Sequence, residues 1–229
     1  MLLVDPNVEA LRTVAAALGP LRGEVLFVGG AVAGLLITDS AAMSVRPTDD
    51  VDCVVEVAST VAYHAFERRL RAQGFNPDPG MICRYRIENI ALDVMPTDPS
   101  ILGFANRWAA EAFMAGESRD LGGDLRIRMI TAPYFVATKI EAFYSRGEGD
   151  FVASHDIEDV VAIVDGRREL LDEVANLRSD ALRTYLREQF RALMADPRFV
   201  DALGTHLPPD TASQLRMPSL RSLCQQLGE

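Results

Sequence analysis

The chain has 229 residues, 48 % of them hydrophobic, and a formal net charge of −10. That is enough for one large or two small domains with a real core, and the acidic balance argues against a surface that coats nucleic acid broadly, since phosphate contacts need positive charge. Cys53, Cys83 and Cys224, and His64, His155 and His206, lie far apart in sequence without metal-ligand or Cys-x-x-Cys spacing; buried thiols in a reducing cytoplasm are expected, with neither zinc nor a disulfide framework.

Met1-Leu2-Leu3-Val4-Asp5-Pro6 lacks the basic region of a secretory signal, so a cytoplasmic location is the expectation. Residues 5–19 then read as an amphipathic helix. Val25–Val28 reads as a buried strand, Gly29-Gly30 as a turn, and Ala31–Ile37 as the first turns of a helix. Glycine lets backbone N–H groups approach a phosphate, and a helix N-terminus behind them favours negative charge; ordinary packing is the competing reading. The whole apolar run from Val25 to Ile37 is too short and glycine-rich to cross a bilayer.

The next strand follows Arg46-Pro47-Thr48-Asp49 and opens with Asp50-Val51-Asp52-Cys53-Val54-Val55. Side chains alternate in a strand, so Asp50 and Asp52 point one way and Val51, Cys53 and Val55 the other. Paired carboxylates repel each other unless solvated or placed around a hard cation such as Mg²⁺, which takes one or two carboxylates and shares its shell with substrate phosphates. An acidic turn leading into an edge strand is the alternative. A helix from about Thr60 to Gln73, the turn Asn76-Pro77-Asp78-Pro79-Gly80 and strands at Cys83–Glu88 and Ile90–Met95 come next. Aspartate is a poor mid-strand choice, so Asp93 in Ile90-Ala91-Leu92-Asp93-Val94-Met95 is the candidate third carboxylate of a two-metal site, against an exposed edge-strand aspartate.

A helical stretch near residues 105–114 and a half-buried edge strand near Leu125–Ile130 complete a mixed-sheet part, residues 1–131. From Ala132 the periodicity is helical, with helices at about 133–146, 155–165, 167–176 and 178–194 and a tail broken by prolines. These make a helical region, 132–229, packed on the sheet part. The single lysine, Lys139, sits in the first of these helices on one face with Phe143 and Arg146. A compact ammonium on a flexible stem reaches a triphosphate as a point charge; a half-buried snorkelling lysine is the plain alternative. Asp156 and Asp159 share a face of the next helix and read either as substrate-site supports or as an ion-pair cluster beside Arg146.

Taken together, Val28-Gly29-Gly30, Arg46-x-Thr48-x-Asp50-x-Asp52, Asp93, Lys139 with Arg146 and His155-Asp156-Ile157-Glu158-Asp159 resemble the polymerase-β-like nucleotidyltransferases, and within them the AbiEii/MenT-type toxins of bacterial toxin–antitoxin systems. The resemblance covers roughly residues 24–165. It implies an α/β (α+β) mixed-sheet nucleotidyltransferase core that uses two Mg²⁺ ions to move a nucleotide from an NTP to a hydroxyl acceptor, with the tRNA acceptor end or another RNA first among acceptors. By the same resemblance, Gly29, Gly30, Arg46, Thr48, Lys139 and Arg146 bind the nucleotide, Asp50, Asp52 and Asp93 hold metal, and Asp93 helps activate the acceptor. A cognate antitoxin is the implied protein partner. Ala31 replaces the Ser or Thr that many relatives place after the glycine pair, removing one phosphate contact. Gly-Gly-Ala-Val also resembles tRNA CCA-adding enzymes, but their Arg-Asp continuation and Arg-Arg-Asp segment are missing here. The alternatives are transfer to a protein or to a small molecule such as an aminoglycoside, and a non-catalytic nucleotide sensor.

Overall fold

A computed structural model of the chain describes residues 5–42, 45–146 and 149–229; the side chain of Arg146 lies outside the described residues. The fold is α/β, with helices α1 (Pro6–Leu18), α2 (Ala33–Leu36), α3 (Thr60–Ala72), α4 (Pro99–Leu102), α5 (Ala109–Ala115), α6 (Ala132–Arg146), α7 (His155–Gly166), α8 (Leu170–Ala175), α9 (Asp180–Ala195), α10 (Pro197–Ala202), α11 (Thr211–Gln214) and α12 (Met217–Leu227). The strands are β1 (Val25–Val28), β2 (Asp50–Val55), β3 (Asn76–Pro77), β4 (Arg84–Ile87), β5 (Ile90–Pro96), β6 (Glu117–Asp120) and β7 (Arg126–Met129). Two compact units result: Met1–Gly34 with Arg46–Thr131, and Leu35–Val45 with Ala132–Glu229.

The first unit holds one mixed sheet in the order β3-β4-β5-β2-β1-β7-β6. β2 runs antiparallel to β1 and parallel to β5, so the two aspartates of β2 sit in the middle of the sheet. β1 is an unbroken apolar strand, as expected where both faces are covered. α3 begins at the Ser59 cap, whose side chain accepts from Ala62 N–H. It buries Tyr63, Phe66 and Leu70, and the Tyr63 hydroxyl donates to the Val94 carbonyl at 2.7 Å, fastening α3 to β5. Leu11, Val14 and Leu18 of α1 are fully buried, and α1 packs against β2 and β5.

The second unit is helical. α7 buries Ile157, Val160, Val161, Ile163 and Val164 around most of its circumference, the pattern of a central helix. α6 and α12 pack on it. Phe143 stacks on Phe151 with ring centroids 4.9 Å apart, and Phe151 meets Phe199 edge-on at 5.6 Å. The stretch Leu35–Val45, which lies within the sheet part when the chain is divided linearly, joins this unit because the N–H groups of Thr38 and Asp39 both donate to the Gly166 carbonyl at 2.9 Å.

Two expectations change and one alternative falls. The Arg126–Met129 strand does alternate, but it is interior: the edge is β6, whose Glu117-Ser118-Arg119-Asp120 is wholly exposed and has no apolar signal. Such charged edges resist pairing with another chain. β5 is likewise interior, so Asp93 is no edge-strand residue. The glycine pair opens only a 3₁₀ turn, Gly30–Val32, and the four-residue α2, too little helix for an appreciable dipole.

Candidate active site

Strand register assembles the carboxylates. Asp52 lies directly opposite Asp93 in the parallel β2–β5 pair and opposite Val28 in the antiparallel β1–β2 pair. Asp50, two residues earlier, shares the face of Asp52. Val51, Cys53 and Val55 point into the core with at most 2 % exposure, and the Cys53 thiol is pushed well up by burial and, secondarily, by the Asp52 charge.

Gly29 closes one side of this floor. Its φ of +70° and ψ of −171° are open to glycine and costly for other residues. A Cβ there would lie 1.9 Å from Asp52 Oδ2 and 2.8 Å from Asp52 Cβ. The two sequence signals, Gly-Gly and Asp-x-Asp, are therefore in van der Waals contact.

The stretch leading into β2 is held by Asn7 of α1, which is 2 % exposed. Its Nδ2 donates to the Arg46 carbonyl and its Oδ1 accepts from Thr48 N–H, both at 2.9 Å. The Thr48 hydroxyl donates to the Asp50 carbonyl at 2.8 Å. Arg46 and Thr48 thus help to position β2, and their side chains are half-buried. Asn7 escaped the sequence reading; the available signal was an amide on the buried face of a helix.

Arg84 also escaped it. Its Nε donates to Asp93 Oδ1 at 2.7 Å, and its Nη2 donates to Asp93 Oδ2 at 2.8 Å and to Asp50 Oδ2 at 2.7 Å. Hydrogen bonding to Asp93, with the charges of Asp93 and Asp50 behind it, outweighs desolvation and holds the Arg84 pKa above its usual range. The signal for Arg84 was present: the two-residue turn Glu88-Asn89, with Glu88 at φ +52°, pairs Ile87 with Ile90 and so sets Arg84 opposite Asp93.

Hard oxygen donors on one face of adjacent strands are of the kind Mg²⁺ takes, and Asp50, at 33 % side-chain exposure, is open to solvent. Among the described residues, no group of three His, Cys, Asp or Glu side chains is arranged to hold a metal ion; here two of the carboxylates hold a guanidinium. The donors are of the chemical kind a divalent cation takes, but their arrangement holds Arg84.

Lys139, Asp156 and Asp159 form a cluster of their own in the second unit. The ammonium lies 2.6 Å from Asp159 Oδ2 and 3.3 Å from Asp156 Oδ1, and Lys139 is only 7 % exposed. Lys139 is therefore a buried ion-paired residue, not a snorkelling one, and it faces the two aspartates. The side chain of Arg146 falls outside the described residues. His155 is exposed and lies 3.1 Å from Glu158. Cys53, Cys83 and Cys224 are free and buried, the Cys224 thiol being pushed up to about 12 by burial. No described helix is long and apolar enough to cross a membrane.

The fold and these residues define a mixed-sheet α/β protein with a glycine-flanked carboxylate floor on its central strands. No family model and no curated protein matches the chain. Among solved structures it is similar to an antigenic nucleotidyltransferase-like protein from Paracoccidioides brasiliensis, with a TM-score of 0.49 and 20 % identity over 87 % of this chain and 92 % of that one.

Proposed function

We propose that the chain is a nucleotidyltransferase that moves an NMP from an NTP to a hydroxyl acceptor, foremost the acceptor end of tRNA, as in the AbiEii/MenT-type toxins its motifs resemble. The observation that carries this reading is the lateral alignment of Asp52 with Asp93, with Asp50 on the same face and Gly29 packed against Asp52. Glycine leaves the β1 end bare of side chain, so a phosphate can approach backbone N–H groups there. Asp50, Asp52 and Asp93 would hold Mg²⁺, which when bound supplies charge stabilisation to the attacking and leaving oxygens of an in-line displacement. Asp93, half of whose hydrogen-bonding capacity is directed by Arg84, is the carboxylate set to receive the acceptor hydroxyl proton. Asn7 keeps β2 in register with that task through the backbone of Arg46 and Thr48. The resemblance supplies a cognate antitoxin as the protein partner.

The test is transfer of label from each of four α-labelled NTPs, with Mg²⁺, into total RNA and soluble protein of a bacterial lysate, with Asp50→Ala beside wild type. Label in tRNA-sized RNA that disappears in the variant supports the proposal and identifies the nucleotide. Label in protein moves the acceptor, and label in neither leaves a small-molecule acceptor or nucleotide sensing.

A further inference from the structure

We propose that the second unit carries a binding site for a small amphiphile with one anionic head and an apolar chain, of the class of medium-chain carboxylates. The site is a cavity of about 370 Å³ lined by Asp39, the end of α7, the 167–171 segment and α12. All of these residues belong to the second unit, and binding there requires no nucleotide chemistry.

The lining is sorted by polarity. Arg216, Ser219, Leu223 and Leu227 recur at three- or four-residue spacing and so share one face of α12, over about 16 Å of helix. Along that face burial deepens from the exposed Ser219 through the half-buried Leu223 to the buried Leu227. Val164, Leu170 and Leu171 add to the apolar wall. A cavity of this size, apolar with a few polar groups at one end, is of the kind that holds small molecules.

The polar end has hydrogen bonds to donate and little left to accept them. Both oxygens of Asp39 are taken, Oδ1 by Arg168 Nη2 at 2.8 Å and the Ala41 N–H at 3.0 Å, and Oδ2 by Arg216 Nη2 at 3.1 Å. Arg216 Nε donates to both oxygens of Asp165 at 2.9 Å. The two carboxylate side chains are 11 % and 3 % exposed. The guanidinium groups, by contrast, have donors to spare: Arg168 Nε and Nη1 and Arg216 Nη1 meet no acceptor among the described residues, and the Arg168 side chain is 68 % exposed. A head group that completes this end accepts hydrogen bonds, and a carboxylate does so with charge assistance. Its chain then lies along Leu223 toward Leu227.

The test is isothermal titration calorimetry of the full chain with hexanoate, octanoate and octan-1-ol, all below micelle-forming concentrations. Octanoate is expected to bind once per chain and about tenfold tighter than hexanoate, two further methylenes being buried. It is also expected to bind about tenfold tighter than octan-1-ol, which has the same chain without the charge. Arg168→Gln should bring octanoate down to the affinity of octan-1-ol. Leu223→Asp should weaken both about tenfold, with Leu171→Asp in its place should that variant fail to fold. Val61→Asp, at an exposed valine of the first unit, should change neither. Wild type that fails to bind octanoate, or binds it no tighter than octan-1-ol, overturns the proposal, and so does octanoate binding that survives Leu223→Asp or Leu171→Asp at full strength.

Discussion

Gly29 and Asp52 share one small volume at the junction of β1 and β2: a side-chain carbon on Gly29 would meet the Asp52 carboxylate at 1.9 Å. Gly29→Ala must therefore both adopt a glycine-only backbone conformation, costing about 1–3 kcal/mol, and push Asp52 away from Asp93. The expected outcome is a lower urea midpoint and a loss of nucleotide transfer greater than the stability loss explains. Gly23→Ala is the control, since a Cβ there meets nothing within 4 Å. Equal behaviour of the two variants would refute the contact.

Asp50→Ala tests the carboxylate floor without disturbing the core, because the packing of β2 comes from Val51, Cys53 and Val55. Arg84 keeps its fork on Asp93 in this variant. Label transfer should fall by about a hundredfold or more, with circular dichroism and melting close to wild type. Retained activity would remove Asp50 from the metal site.

Lys139→Met removes the buried ammonium that Asp156 and Asp159 both face. Breaking such a buried pair on one side costs about 3–5 kcal/mol, readable in urea unfolding. Adding Asp156→Asn and Asp159→Asn should restore part of that loss. Lys139→Arg is expected to be harmful despite its charge, because a planar guanidinium must fit where a compact ammonium sits 2.6 Å from Asp159 at 7 % exposure. A wild-type melting curve for Lys139→Met would show that the pair contributes nothing.

Asp39 supplies a pH prediction for the second unit. The Ala41 N–H, then the Arg168 and Arg216 guanidinium groups, hold its carboxyl well below the usual range. A depressed folded pKa stabilises above the unfolded value, about 3.9, and that contribution is lost as pH falls through the folded one. Wild type should exceed Asp39→Asn in stability at pH 6, and the gap should narrow steadily below about pH 4. A gap independent of pH would mean that the carboxylate charge is not what matters.

Much of the candidate site was legible because its parts are local. The period of two in Asp50–Val55 places Asp50 and Asp52 on one face whatever the rest of the chain does, and the apolar run ending in Gly29-Gly30 marks a buried strand. β6 was illegible because Glu117-Ser118-Arg119-Asp120 is wholly exposed and has no apolar period. Asn7 was illegible because its partners, at Arg46 and Thr48, are some forty residues away.

By itself, then, the sequence determined most of the strand and helix elements and the common face of Asp50 and Asp52 along β2. Only the tertiary structure decided which cation meets which carboxylate. Arg84 takes Asp50 and Asp93, and Lys139 takes Asp156 and Asp159. Ion pairs between elements depend on strand register and on the rotation of one helix against another, and a 23-member set of cations against 33 acidic residues offers many pairings that local periodicity cannot rank.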